Sequence, residues 1–149
     1  MSEQALPAGR VPACAEVSVG DRLPDRTIHV DRARLVQYAG ASLDRNRIHW
    51  DERFAKSVGL PDVIAHGMFT MGSAVTVVSD WAGDAGRVVE YGVRFTKPVV
   101  VPYETGADIE VSGVVKKVDT EARRATVELT ARSDGEKVLG KALAVVQLD

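Results

Sequence analysis

"GMFTMGSAVTVVSDW", residues 67–81, decides the fold of this chain. Wound at helical pitch, Met68, Phe69, Met71, Ala74, Val75, Val77, Val78 and Trp81 occupy nearly the whole circumference. A helix that is apolar all round is a buried one. Its valines would also suit a strand, but the stretch is longer than a usual strand, so the spacing predicts a long buried helix.

After Gly83 the apolar period drops to two. Tyr91, Val93 and Phe95 alternate with Gly92, Arg94 and Thr96, and Ala125, Val127, Leu129 and Ala131 alternate with Thr126, Glu128 and Thr130. Ile109 and Val111, and then Val138 through Leu148, complete the pattern. "VDTEARR" at 118–124 and "SDGE" at 133–136 are turns, the second with Asp-Gly at its centre. Pro98 and Pro102 restrict pairing between the first of these strands and the next. Long strands on short turns make an antiparallel meander with one buried face. The long helix is the obvious cover, which gives an α+β domain with a helix wrapped by a curved antiparallel sheet.

Upstream, a strand is expected over residues 21–30. Asp31 then caps "RARLVQYAG", with Leu35, Tyr38 and Ala39 on one side and Gly40 as its stop. Asp51 caps a second, shorter helix, "ERFAKSV", closed by Gly59. Residues 1–15 carry Pro7, Gly9 and Pro12 and no apolar h-region, so they read as a loose leader before a single domain at 16–149.

The chain has 149 residues, 45% hydrophobic and 27% charged, the composition of an ordinary globular domain. A net charge of -2 with scattered Lys and Arg offers no footprint for nucleic acid. No apolar run approaches the ~20 residues of a membrane helix. Cys14 is the single cysteine, so a reducing cytoplasm fits, and it is expected to be a solvated spare thiol.

Two short stretches carry chemistry. "LDRNRIHW", residues 43–50, groups Asp44, Asn46 and His49 between the two short helices. In a loop these side chains can converge. A carboxylate beside an imidazole can activate a water and exchange its proton, and an amide can fix that water without titrating. The same residues also admit a plainer reading as turn formers and a packed histidine. "AHGMFT", residues 65–70, opens the long helix, where free N–H groups can stabilise an oxyanion and Gly67 lets a carbonyl come close. His66 could equally satisfy a neighbouring polar group. His29 sits in strand-like sequence and reads as structural. The three histidines are far apart and no Cys pair exists, so no metal site is expected. There is no phosphate loop and no G-x-S-x-G elbow.

"YAGASLDRNRIHWDE" followed by "GLPDVIAHGMFT" and "VVEYGVRFTKPVVVP" resembles the MaoC-like, R-specific enoyl-thioester hydratase/dehydratase family over about residues 16–148. Within that family the likeness is nearest to the catalytic B subunit of actinobacterial (3R)-hydroxyacyl-ACP dehydratases. The resemblance implies the hot-dog fold. It puts the catalytic pair on Asp44 and His49 and the ordering amide on Asn46. The oxyanion donor falls on Gly67, with His66 and Met68 beside the substrate. It further implies an acyl-ACP or acyl-CoA thioester substrate, no cofactor, and a homodimer or a heterodimer with a second hot-dog subunit. Two positions depart from the family pattern. Leu43 replaces a glycine and is expected to resist a positive φ. Arg47 replaces a proline and adds a charge that could meet an anionic carrier arm. The rival functions are a hot-dog acyl thioesterase, disfavoured because residues 67–79 contain no acid, and a non-catalytic acyl-binding subunit.

Overall fold

The computed structural model describes residues 10–149. One five-stranded antiparallel sheet holds β1 (Arg22–Val30), β2 (Val88–Phe95), β3 (Ala107–Asp119), β4 (Arg124–Ser133) and β5 (Glu136–Gln147) in the order β1-β3-β4-β5-β2. β3, β4 and β5 form the expected meander, with Val115 opposite Val127 and Val127 opposite Ala144. The β4–β5 turn is the Asp-Gly hairpin read from the sequence. Asp134 and Gly135 both take positive φ, at 50° and 74°, as a type I′ turn requires. Pro24 falls where the β1–β3 register shifts, a place where its missing N–H does no harm.

Helices α1 (Arg32–Ser42), α2 (Glu52–Ser57) and α3 (Gly67–Ala82) fill the connection between β1 and β2. α3 lies on the sheet, with Val77, Val78 and Trp81 sharing one core with Ile109, Leu129, Leu139 and Val146. This is the hot-dog α+β architecture. Arg26 ties β1 to the helix by donating to Thr76 Oγ1 (2.9 Å) and pairing with Asp80. Tyr91 ties β2 to it by donating its hydroxyl to the Met71 carbonyl (2.8 Å).

Several expectations need correction. α3 is not buried all round. The sheet covers one side, whereas Met68 is 59% exposed, Gly72 is exposed and Val75 is only half-buried. α1 does not stop at Gly40 but runs to Ser42, and its left-handed C-cap is Leu43, with φ 62° and ψ 8°. Leu43 therefore does adopt the conformation it was expected to resist, at a cost of about 1–2 kcal/mol. Of the expected leader, residues 1–9 lie outside the described residues. Its remainder is not loose: Pro12 is buried, the Cys14 N–H donates to the Asp149 carbonyl (2.8 Å), and Cys14 itself is half-buried.

One piece of irregular pairing positions the site. Ala65 N–H donates to the Val99 carbonyl and Val101 N–H to the Val63 carbonyl, each at 2.9 Å, around an isolated bridge between Ile64 and Val100. This strap pins the entry to α3 against the segment that follows β2. Arg32, at the start of α1, closes the corner by donating to the Val101 carbonyl (2.8 Å) and Asp62 (2.6 Å).

Candidate active site

The loop after Leu43 organises itself. Asp44 Oδ1 accepts from the Asn46 N–H and Asn46 Oδ1 accepts from the Ile48 N–H, each at 3.2 Å. These turns start a 3-10 segment, Arg47–His49, whose last residue is turned inward. Short Asp and Asn side chains suit this because they bond their own backbone two residues on. Arg47 binds Asp51 (2.7 Å) and lies 4.5 Å over the Phe54 ring, so its charge is already engaged within the loop and α2. Asn46 is exposed and its carbonyl oxygen is spent on the cap.

His49 is 7% exposed. Its Nδ1 lies 2.7 Å from the Ile64 carbonyl, and since a carbonyl only accepts, Nδ1 carries the proton. Nε2 is then the lone-pair nitrogen, and it faces Asp44 Oδ2 at 4.0 Å. Two acceptors at that separation make no direct hydrogen bond, but one water can donate to both. Burial pushes the His49 pKa below its ordinary value. The neighbouring His66 ring adds to the depression, while the Ile64 carbonyl and the Asp44 carboxylate oppose it. The imidazole is therefore neutral near pH 7 and available as a base.

A cavity of about 270 Å³ opens beside this pair. His49 and Gly67 line it together, with Thr70, Phe95, Val138 and Leu139 among its walls. No side chain caps the N-terminus of α3, so its first N–H groups remain available to an oxygen in the cavity. The Phe95 ring lies so close that a Cβ on Gly67 would meet it at 3.0 Å. Beyond Lys97 and Pro98 a larger groove of about 730 Å³ is rimmed by Asp108, Glu110, Asp134 and Glu136, and it contains neither His49 nor Gly67. Of the two, only the smaller cavity brings His49 and Gly67 together.

Two residues expected beside a substrate are placed elsewhere. His66 is 2% exposed and does not line the cavity; its ring is stacked behind His49, with centroids 3.7 Å apart. Met68 also does not line it and points to the uncovered side of α3. The sequence reading missed Thr70, Phe95, Val138 and Leu139. Thr70 had a signal, since it lies one turn beyond Gly67 on the same helix face. The other three are set by sheet curvature and register. His29 is exposed and pairs with Asp108 (2.7 Å) on the surface.

Asp44, His49 and His66 each offer one atom within 4.8 Å of the others. Distance in sequence is thus no bar to a histidine cluster here. The stacked rings are inclined by only 22°, however, so their lone pairs lie in two nearly parallel, offset planes, a poor arrangement for tetrahedral binding of one ion. The trio suits proton handling. An acceptor pair that holds a water, facing N–H donors across a small apolar cavity, can deliver that water to a carbon conjugated with a carbonyl.

Residues 17–133 match the family model described as MaoC like domain. The chain is similar to 3-hydroxyacyl-thioester dehydratase X of Mycobacterium tuberculosis, with 39% identity over 83 residues, covering 56% of this chain and 29% of that protein. It is also similar to 3-hydroxybutyryl-CoA dehydratase of Methylorubrum extorquens, with 32% identity over 119 residues, covering 78% of this chain and 73% of the relative. Among solved structures, a MaoC-like dehydratase superposes with a TM-score of 0.91 at 45% identity, over 95% of this chain and 43% of the other. The chain thus spans less than half the length of two of these three proteins.

Proposed function

Because the chain belongs to the MaoC-like domain family, we propose that it hydrates trans-2-enoyl thioesters and, in reverse, dehydrates (3R)-3-hydroxyacyl thioesters. The observation that carries this reading is the 4.0 Å gap between His49 Nε2 and Asp44 Oδ2 at the edge of a cavity that also exposes Gly67.

In the proposed reaction the thioester carbonyl accepts from the Gly67 N–H, and C3 of the enoyl group lies against the bound water. The water gives one proton to the Asp44–His49 pair as its oxygen bonds to C3. The C2=C3 π electrons move toward the carbonyl oxygen, whose charge the amide stabilises. The pair then returns a proton to C2, so that one water is added across the double bond and both groups recover their starting state. Dehydration retraces these steps. Asn46 shapes the loop through its cap. The carrier, ACP or CoA, supplies the thioester.

We further propose that the working unit includes a second hot-dog subunit, either another copy or a related chain. Among the described residues the β2 edge of the sheet is unpaired, and Val89 and Phe95 of β2 and Met68 of α3 are each about half exposed or more. Relatives about twice this length have room for such a partner in the same chain. The proposed compartment is the cytoplasm, supported by the single cysteine. No helix among the described residues is long and apolar enough to cross a membrane. A thioesterase is disfavoured because the one acid on α3, Asp80, sits at the far end and is paired with Arg26.

The test is loss of enoyl absorbance when trans-2-enoyl-CoA substrates are mixed with the protein, with free thiol followed in parallel. Asp44→Asn is expected to lower kcat by about 10²–10⁴-fold while the fold persists. Thiol release, or an Asn variant as active as the wild type, would sink the proposal.

A further inference from the structure

His66 cannot touch a substrate in the cavity, yet it contacts both members of the proposed catalytic pair. It is 2% exposed, at the N-cap position of α3, and makes no capping bond there. Its Nε2 lies 2.9 Å from the backbone carbonyl of Asp44, so Nε2–H is the donor. Its ring stacks on His49 at 3.7 Å, and Tyr38 packs against it at 4.8 Å. The remaining nitrogen, Nδ1, is buried without a hydrogen-bond partner. An unsatisfied buried acceptor is destabilising, a cost that an apolar ring of similar shape would not incur. Packing alone does not explain an imidazole here.

The loop explains it. Residues 40–47 are all exposed, eight in succession, and Leu43 among them holds a strained left-handed conformation. The other hydrogen bonds of residues 44–47 all end within residues 42–51. The His66 bond is the one that reaches from this stretch to the core. Without it, the distance from the Asp44 carboxylate to His49 is set only by the loop's local turns.

We propose that His66 is a positioning residue that clamps the Asp44 peptide and so holds the carboxylate one water's width from His49. The proposal rests on the hydratase reading for its kinetic consequences but not for its geometry. The titratable groups that face His49 are Asp44 from the loop and His66 from the head of α3; Lys97, from the segment after β2, shares the cavity.

Two variants separate the clamp from the stack. His66→Phe keeps a flat ring behind His49 but removes the donor. His66→Gln removes the ring but keeps an N–H donor. The proposal expects His66→Phe to lower kcat by about 10–100-fold with KM within about threefold, as a misplacement near an ångström would do. His66→Gln should recover most of that loss. A purely structural role predicts the reverse order, because Phe restores the packing.

The His49 titration, followed by NMR of the imidazole, gives a readout independent of turnover. In the wild type Asp44→Asn should lower the His49 midpoint, because the carboxylate favours the imidazolium. That shift should shrink toward zero in His66→Phe and survive in His66→Gln. If the wild type hydrates no enoyl thioester, the hydratase reading fails, and this cycle still decides the clamp. Should the Phe variant not fold, the Gln variant decides alone: kcat near wild type with the Asp44-dependent shift intact supports the clamp. Equal kcat in all three proteins, or a Gln variant as impaired as the Phe variant with an unchanged Asp44-dependent shift, overturns it.

Discussion

Gly67→Ala should separate activity from stability. At the first position of α3 the exchange adds helix propensity worth up to about 1 kcal/mol. Against that, the new Cβ would lie 3.0, 3.1 and 3.2 Å from three carbons of the Phe95 ring, inside the ~3.5–4.0 Å of a good carbon contact. The ring can yield, because Phe95 is 54% exposed. The two effects nearly cancel, so unfolding free energy should stay within about 1 kcal/mol and Tm within ~2–4 °C for a chain of this size. Catalysis has no such compensation. The methyl group, and the ring it displaces, occupy the space through which a carbonyl oxygen reaches the Gly67 amide. Loss of one oxyanion donor is worth about 10²–10³ in kcat. Thermal melts and hydration of a short trans-2-enoyl-CoA measure the two quantities on the same sample. The double variant Gly67→Ala/Phe95→Leu removes the contact with the ring while keeping the methyl group. Activity that returns in the double variant would assign the loss to the ring instead of the carbonyl's approach. Activity within about threefold of wild type in Gly67→Ala itself would refute the oxyanion assignment, since no donor would have been lost.

The lowered His49 pKa has a direction in both stability and rate. The unfolded chain takes up this proton first, near the ordinary histidine value of about 6.5. Stability is therefore complete above that pH and falls as the pH drops through it toward the lower folded value. Urea unfolding at about pH 7.5 and 5.5 should show the loss, and His49→Asn should reduce it; the acid limb of kcat/KM should lie below about 6.5. Tyr91 carries a second legible burden. Its phenol, pushed up to about 12 by burial, should stay un-ionised in an ultraviolet titration until the protein unfolds, and Tyr91→Phe should cost about 0.5–1.5 kcal/mol through loss of the bond to Met71.

What the sequence disclosed follows from what is local. The period-two strands, the Asp-Gly turn and the helix starting at Gly67 are written in nearest neighbours, and the structure has each of them. The exposed flank of α3 was not readable. Apolarity all round says that a helix prefers cover, but whether a second layer exists depends on chain outside the helix, and here the sheet takes only one side. The α1 terminus was missed for a related reason. Gly40 is the better residue for a left-handed cap, yet the helix runs two residues further because the loop geometry beyond fixes where the chain must turn.

The site divides the same way. Asp44, Asn46 and His49 were visible because a short polar loop must use its own side chains to close its turns. The same Asp-x-Asn pattern that closes the turn also leaves one carboxylate oxygen, Oδ2, facing His49. His66 was visible as a residue but not in its role. Twenty-two positions separate it from Asp44, and the strap between residues 63–65 and 99–101, together with the bonds from Ile64 to Ile48 and His49, brings the head of α3 under the loop. Leu43 shows why that link matters. A glycine there would reach the left-handed region without strain, whereas leucine reaches it only if the surroundings hold the chain in place. The anchors available are the loop's own turns, the bonds of Ile48 and His49 to Ile64 at the far end of the loop, and the His66 clamp at Asp44. Leucine, where the resemblance leads one to expect glycine, makes the site more dependent on His66, because a strained cap released from its core contact would relax and carry Asp44 away from the water it is proposed to hold.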